Sequence, residues 1–224
     1  MLLRRSLQKT YHYKDFEVLH TVKPRMKNIY FRIGEDGVVR VNSSKISQKR
    51  LFELLDEREQ WIRTALEKIE KKPTVVLGRE ILYFGETYQL VDDTSFENLE
   101  QLCINSDEKM CEIHYQNFYK SRAQNHLRER LDYFAARMNL QPKEMKLRRM
   151  KRQWGNCRSS GVITFNIHLM QVPTECIDYV VVHELAHMVH MNHSKVFHTL
   201  VEQHLPQSSA KRNRLKAFRA GLAV

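Results

Sequence analysis

The chain has 224 residues, enough for one domain with a substantial core or for two small ones. Apolar residues make up 42% of it, and glycine (7) and proline (5) are scarce, which excludes collagen-like and low-complexity classes. The net charge is +11, and no apolar run is long enough to cross a bilayer, so a membrane is not an expected partner whereas a polyanion is.

Met1–Lys9 starts with two leucines and turns basic without an apolar h-region, so no secretory signal is expected. Further on, 28–33 and 38–42 flank the turn Gly34-Glu-Asp-Gly37 and predict a hairpin. Ser47 is placed to cap a helix from about Gln48 to Lys71, with Leu51, Leu54, Leu55, Trp61, Ile62, Leu66 and Ile69 at three- and four-residue intervals. Lys71-Lys-Pro73 ends it. A second hairpin is expected from 81–84 and 87–91 around Gly85-Glu86, followed by a polar loop over 92–98. Leu99–Ile104 and Met110–Tyr115 read as two short strands. Tyr119 to Asn139 reads as a helix with a stripe of Leu127, Leu131, Phe134, Ala135 and Met138.

Strands are then predicted over Met145–Met150 and Gly161–Ile167, joined by a loop through Trp154-Gly-Asn-Cys157. From Thr174 the pattern is helical: about Glu175–Met191, Ser194–His204 and Ser208–Leu222, with Pro206 separating the last pair. Cys103, Cys111, Cys157 and Cys176 show no C-x2-C spacing, and reduced, mostly buried thiols in a cytoplasmic protein are expected. Residues 143–158 carry Lys143, Lys146, Arg148, Arg149, Lys151, Arg152 and Arg158 against Glu144 alone. Lys211, Arg212, Arg214, Lys216 and Arg219 form a second basic cluster.

The chemistry lies in His183-Glu184-x-x-His187. Residues four apart share a helix face, so two imidazoles can reach one ion at about 2.0–2.1 Å. Glu184 is offset by roughly 100° and can take a proton from a water whose pKa zinc lowers to about 7. A catalytic zinc needs a third protein ligand and an open position. His193 is favoured, because Asn192 could end the helix in a left-handed turn and Ser194 could cap the next. His190, Glu202, His198 and His168 are the rivals. Asp178, Asn166 and Asn192 are candidates to orient the imidazoles, and Tyr179, His198 and Arg148 candidates for oxyanion stabilisation. Trp154 reads as a core anchor.

The stretch Trp154-Gly-Asn-Cys157, Ile163-Thr-Phe-Asn166, Leu169, Pro173, Ile177-Asp-Tyr-Val-Val-Val-His-Glu-Leu-Ala-His187 and Asn192-His-Ser-Lys-Val-Phe197 resembles the YgjP-like metallopeptidase family, related in pattern to SprT-like and WLM proteases. The resemblance runs from about Arg25 to Pro206 and is strongest from Lys146. It implies an α+β fold with a zincin-like core, an active-site helix packed under a small β-sheet, after a β-rich N-terminal half with one long helix. The expected division is 1–118 and 119–224. It implies Zn2+ held by His183, His187 and His193, Glu184 as the catalytic residue, and 161–167 as an edge strand pairing with an extended peptide or protein substrate. Asn156 stands where the family usually has Ser, and His198 where it has Trp.

The expected function is therefore a cytoplasmic zinc-dependent hydrolase, a peptidase with Glu184 as general base. The alternatives are a nucleic-acid-associated protein binding through Lys143–Arg158 with a structural zinc, and a hydrolase of a non-peptide bond. The residues specify no oligomeric state.

Overall fold

The structure is a computed structural model that describes residues 7–34, 36–70 and 74–218, with only the helical backbone described for 68–70. Two compact units divide at Lys72/Pro73. The expected boundary at 118/119 falls instead inside a 31-residue helix of the second unit.

The first unit is a four-stranded sheet with two helices. Strands β1 (Leu7–Tyr13), β2 (Phe16–Val22), β3 (Tyr30–Ile33) and β4 (Val39–Ser43) lie in the order β1-β2-β4-β3. The predicted hairpin is present, with Tyr30 opposite Asn42 and Ile33 opposite Val39, and β2 runs parallel to β4. Strands β1 and β2 carried no expectation, since β1 is exposed along most of its length and has no apolar alternation. Phe16, Val18, Val39 and Val41 point inward onto Leu51, Leu55 and Ile62. Those last three belong to α1 (Gln48–Asp56) and α2 (Glu59–Glu70), where one helix was expected. At the junction Arg58 N–H bonds to Leu55 O, a tighter i−3 turn, and Trp61 is left exposed. Ser47 caps α1 as expected, its hydroxyl accepting from Arg50 N–H at 3.1 Å. Glu35 of the first turn, the Ile69 side chain and the Lys71–Pro73 helix end lie outside the described residues.

The second unit opens with the hairpin β5 (Glu80–Tyr83) and β6 (Glu86–Gln89), and with 3-10 turns at Leu90–Asp92 and Thr94–Phe96. The two short strands expected next are helical, in α3 (Glu97–Ile104) and α4 (Glu108–Met138). The apolar period explains this. Cys111, Tyr115, Tyr119, Ala123, Leu127 and Leu131 recur every four residues and form one buried stripe, which short windows disguise. Asp107 caps α4 by accepting from Met110 N–H at 2.7 Å, and left-handed Asn139 ends it. Cys103 and Cys111 are joined in a disulfide across the α3–α4 turn, so the expectation of reduced thiols fails for this pair, while Cys157 and Cys176 are free. No helix among the described residues is long and apolar enough to cross a membrane.

A small sheet follows, made of β7 (Glu144–Arg148), β8 (Gly155–Cys157) and β9 (Val162–Asn166) in the order β7-β9-β8. Strand β9 is buried throughout and paired on both sides, parallel to β7 and antiparallel to β8. The segment expected at the edge is thus the central strand. The edges are β7 and β8, and β8 lies inside the expected loop. Beyond a 3-10 turn (Ile167–Gln171) come α5 (Thr174–Ala186), α6 (Lys195–His204) and α7 (Ser208–Leu215). The fold is α+β.

Helix α5 is apolar on nearly every side, as a helix through the middle of a core must be. Three contacts fix it. Strand β8 packs on it, and Arg130 of α4 grips Asp178 through two bonds of 2.6 and 2.9 Å. The tip of the β5–β6 hairpin meets its start, with Phe84 and Gly85 N–H bonding to Met170 O and Gln171 O at 2.8 and 3.1 Å. Gly85 has φ +90°, and a Cβ there would lie 2.6 Å from Pro173 Cγ at the N-cap of α5. Gly85→Ala is therefore expected to destabilise this unit by about 2 kcal/mol or more, through backbone strain and overpacking, as read from the denaturant midpoint.

Candidate metal centre and cleft

Helix α5 ends at Ala186, and His187 takes the C-cap position. The chain tightens at once, with Met188 N–H bonding to Leu185 O at 3.0 Å and Val189 N–H to Ala186 O at 3.1 Å. Asn192 does not supply the left-handed turn expected of it; the turn begins five residues earlier, and the positive-φ residues lie elsewhere. Ser194 is the N-cap of α6, without a side-chain capping bond. These two helix ends return His193 to the face of His183 and His187.

The three rings then converge. His193 Nε2 stands 3.1 Å from both His183 Nε2 and His187 Nε2. Nitrogens in a tetrahedral shell at about 2.0–2.1 Å from a metal would be about 3.3 Å apart, so the spacing fits an ion. The donor chemistry fits as well. His187 Nδ1 lies 3.0 Å from His190 O, an acceptor only, which puts the proton on Nδ1 and leaves a lone pair on Nε2. His183 Nδ1 lies 3.4 Å from the Tyr179 hydroxyl. Lone pairs aimed at one another repel unless a cation sits between them. Burial above all, then the neighbouring imidazoles and Arg212, pushes His183 down to about 3, so its ring is neutral, as ligation requires. Among the described residues, His183, His187 and His193 are the group able to hold a metal ion.

Phe197 of α6 is fully buried, with ring centroids 4.6–4.9 Å from all three imidazoles, and forms their common floor. Its signal in the sequence is its place in the Asn192–Phe197 stretch, four residues after His193 on the next helix.

Glu184 lines the same cavity as the three imidazoles, its carboxylate packed against β8. The residue is 5% exposed. Burial raises its carboxyl to about 8, a rise held back by a hydrogen bond from the Cys157 backbone N–H. The carboxylate occupies the space over Gly155, where a Cβ would lie 2.6 Å from Glu184 Oε1 and 2.7 Å from its Cγ. The contacts of Gly155 and the Cys157 amide with Glu184 are not revealed by the His-Glu-x-x-His motif alone, because both depend on how β8 pairs.

The other candidates separate cleanly. His190 contributes its carbonyl rather than its ring. Glu202 is occupied by Gln207 N–H, Ser208 N–H and the Ser208 hydroxyl at the start of α7. His168 is buried edge-on to Tyr119. His198 stacks outside His193, with centroids 6.2 Å apart. Asp178 serves Arg130, and Asn166 clamps the loop before β8 through Met150 O and Gln153 O at 2.7 and 2.9 Å. Asn192 is exposed. Tyr179 and Trp154 line a cavity of about 540 Å³ in front of the triad, whereas Arg148 does not. Trp154 also packs against the core, as expected of it.

Residues 27–218 match the family model of the YgjP-like metallopeptidase domain. The chain belongs to the YgjP-like metallopeptidase family. A metal-dependent peptidase is what that family supports. Among solved structures, the metallopeptidase zymogen of Pyrococcus abyssi abylysin is similar at 22% identity, over 39% of this chain and 90% of that one, with a TM-score of 0.37. Among curated proteins none matches.

The packing of Gly155 on Glu184 generates a test in this YgjP-like metallopeptidase. Gly155→Ala should lower kcat/KM on the order of 10²-fold, because displacing a reacting group by about 1 Å costs that much. Metal content should stay intact and the melting temperature should fall only modestly. Steady-state kinetics, metal analysis and calorimetry on one preparation check this.

Proposed function

We propose that this YgjP-like metallopeptidase is a zinc peptidase in which His183, His187 and His193 hold Zn2+ and Glu184 is the general base. One observation carries it: three converging imidazoles that share a cavity with a buried carboxylate. An all-imidazole set of three matches zinc in its catalytic form, leaving a position open. When bound, the metal supplies Lewis acidity and an acidified water.

The chain's own groups do the rest. Glu184, whose carboxyl the charge of a bound metal would bring down from its raised value, accepts a proton from the attacking water and returns it to the leaving amine. The Cys157 amide and the Gly155 backbone hold that carboxylate in one orientation. His187 is oriented by the carbonyl of His190. Strand β8 exposes its outer edge to the cleft. Trp154 O and Arg158 N–H bond to β9, so alternation turns Gly155 and Cys157 outward. With the Cys157 amide given to Glu184, the Gly155 N–H and C=O are left to pair with an extended peptide.

Purified protein should contain about one zinc per chain, and His183→Ala should lose it. Glu184→Gln should keep the metal yet lose about 10²–10⁴-fold in kcat on peptides, the range of general-base catalysis. Wild type without stoichiometric metal, or a Glu184→Gln variant of full activity, would defeat the proposal.

A second reading, recruitment to nucleic acid, has one observation in its favour. Lys143, Arg148, Lys151, Arg152 and Arg158 are exposed, and no described acid pairs with any of them, whereas Lys146 and Arg149 pair with Glu144 and Glu112. Titration with DNA and RNA should show binding that weakens steeply between about 50 and 200 mM salt. No binding at the lower salt would end that reading.

A further inference from the structure

The C-terminal basic cluster is not uniform. Lys211 donates to Pro206 O at 2.6 Å, Arg214 pairs with Glu175, and Lys216 donates to Asn213 at 2.8 Å. Arg219 lies outside the described residues. Arg212 alone makes no hydrogen bond or ion pair with any described residue. It stands on α7 and lines both the cavity in front of the triad and a neighbouring one of about 430 Å³, with Tyr179 shared between the two walls.

The acids of those cavities are already committed. Glu184 is 5% exposed under β8, and Glu202 accepts three hydrogen bonds at the start of α7. What faces Arg212 is otherwise cationic or neutral: Lys216 in one cavity, Lys195 and His198 in the other, and the imidazole triad itself. A permanent positive charge beside a metal centre is unfavourable unless an anion joins it. A guanidinium presents a planar fork of donors that matches a carboxylate through two parallel bonds.

We propose that Arg212 forms an anion subsite in the cleft, receiving a carboxylate of the peptide substrate beside the bond to be cut. This rests on the peptidase proposal above and adds to it a substrate preference. The carboxylate has two sources, an Asp or Glu side chain next to the scissile bond or the free C-terminus of the substrate. Either would lie against Arg212 while the extended main chain pairs with β8.

The test compares matched peptides on the full-length zinc-loaded enzyme: Glu against Gln at the positions flanking the cut, and free against amidated C-termini. At least one pair should show a preference of about tenfold or more in kcat/KM, and which pair does so names the source. Arg212→Gln should collapse that ratio mainly through KM, and Arg212→Lys should restore part of it. Equal losses on all peptides, expressed in kcat, would overturn the subsite. A second measurement does not need turnover. Binding of the same N-acetylated peptides can be followed through the emission of Trp154, which lines the cavity, in wild type and in Arg212→Gln. Tighter binding of the carboxylate member that disappears in the variant supports the subsite even if no peptide is cleaved. Equal binding of both members in wild type overturns it even if the enzyme proves an active peptidase.

Discussion

The carboxylate of Glu184 lies pressed between helix α5 and strand β8, with the Cys157 amide as donor and no side-chain Cβ at Gly155 to hold it off. Much of the second unit can be understood as what that contact requires. A helix carrying an acid through an apolar interior must be clasped firmly, or the burial would be relieved by tilting. Here the clasp comes from the hairpin tip at Pro173, from the Arg130–Asp178 pair and from the three-stranded sheet above. The burial that makes Glu184 costly to house also brings its proton affinity near neutrality.

The imidazoles solve a different geometric problem. A straight helix offers two ligands on one face, and a third must come from the chain after a reversal. The early end of α5 at Ala186 and the start of α6 at Lys195 enclose that reversal. Phe197, in the first turn of α6, then packs against all three rings, so the aromatic floor and the returning imidazole of His193 are set by the same helix start.

The shared face of His183 and His187 is legible in the sequence because it depends only on a four-residue spacing within one helix. His193 was legible at one remove, as the histidine that follows a helix end, although Asn192 plays no left-handed part in it. Gly155 was not, since its role appears only once β8 is paired and laid over α5. The strand assignment failed for the same reason: central and edge positions are properties of the pairing, and β9 reads as a β-prone run in either place. Helices α3 and early α4 were misread as strands because short apolar runs have no resolvable period, and the four-residue stripe shows only when Cys111 is counted together with Leu131. The disulfide between Cys103 and Cys111 follows from those same helices and could not be seen without them.

Strand β8 spans three residues, and one of its two outward-facing amides is spent on Glu184. On the proposed function, that leaves a very short rail on which a polypeptide would be hung by its main chain. So small a grip holds an arbitrary segment only weakly, and tight capture has to draw on side-chain or terminal groups of the incoming chain. Under that proposal, selectivity against bystander proteins would come from the scarcity of backbone contacts that β8 offers.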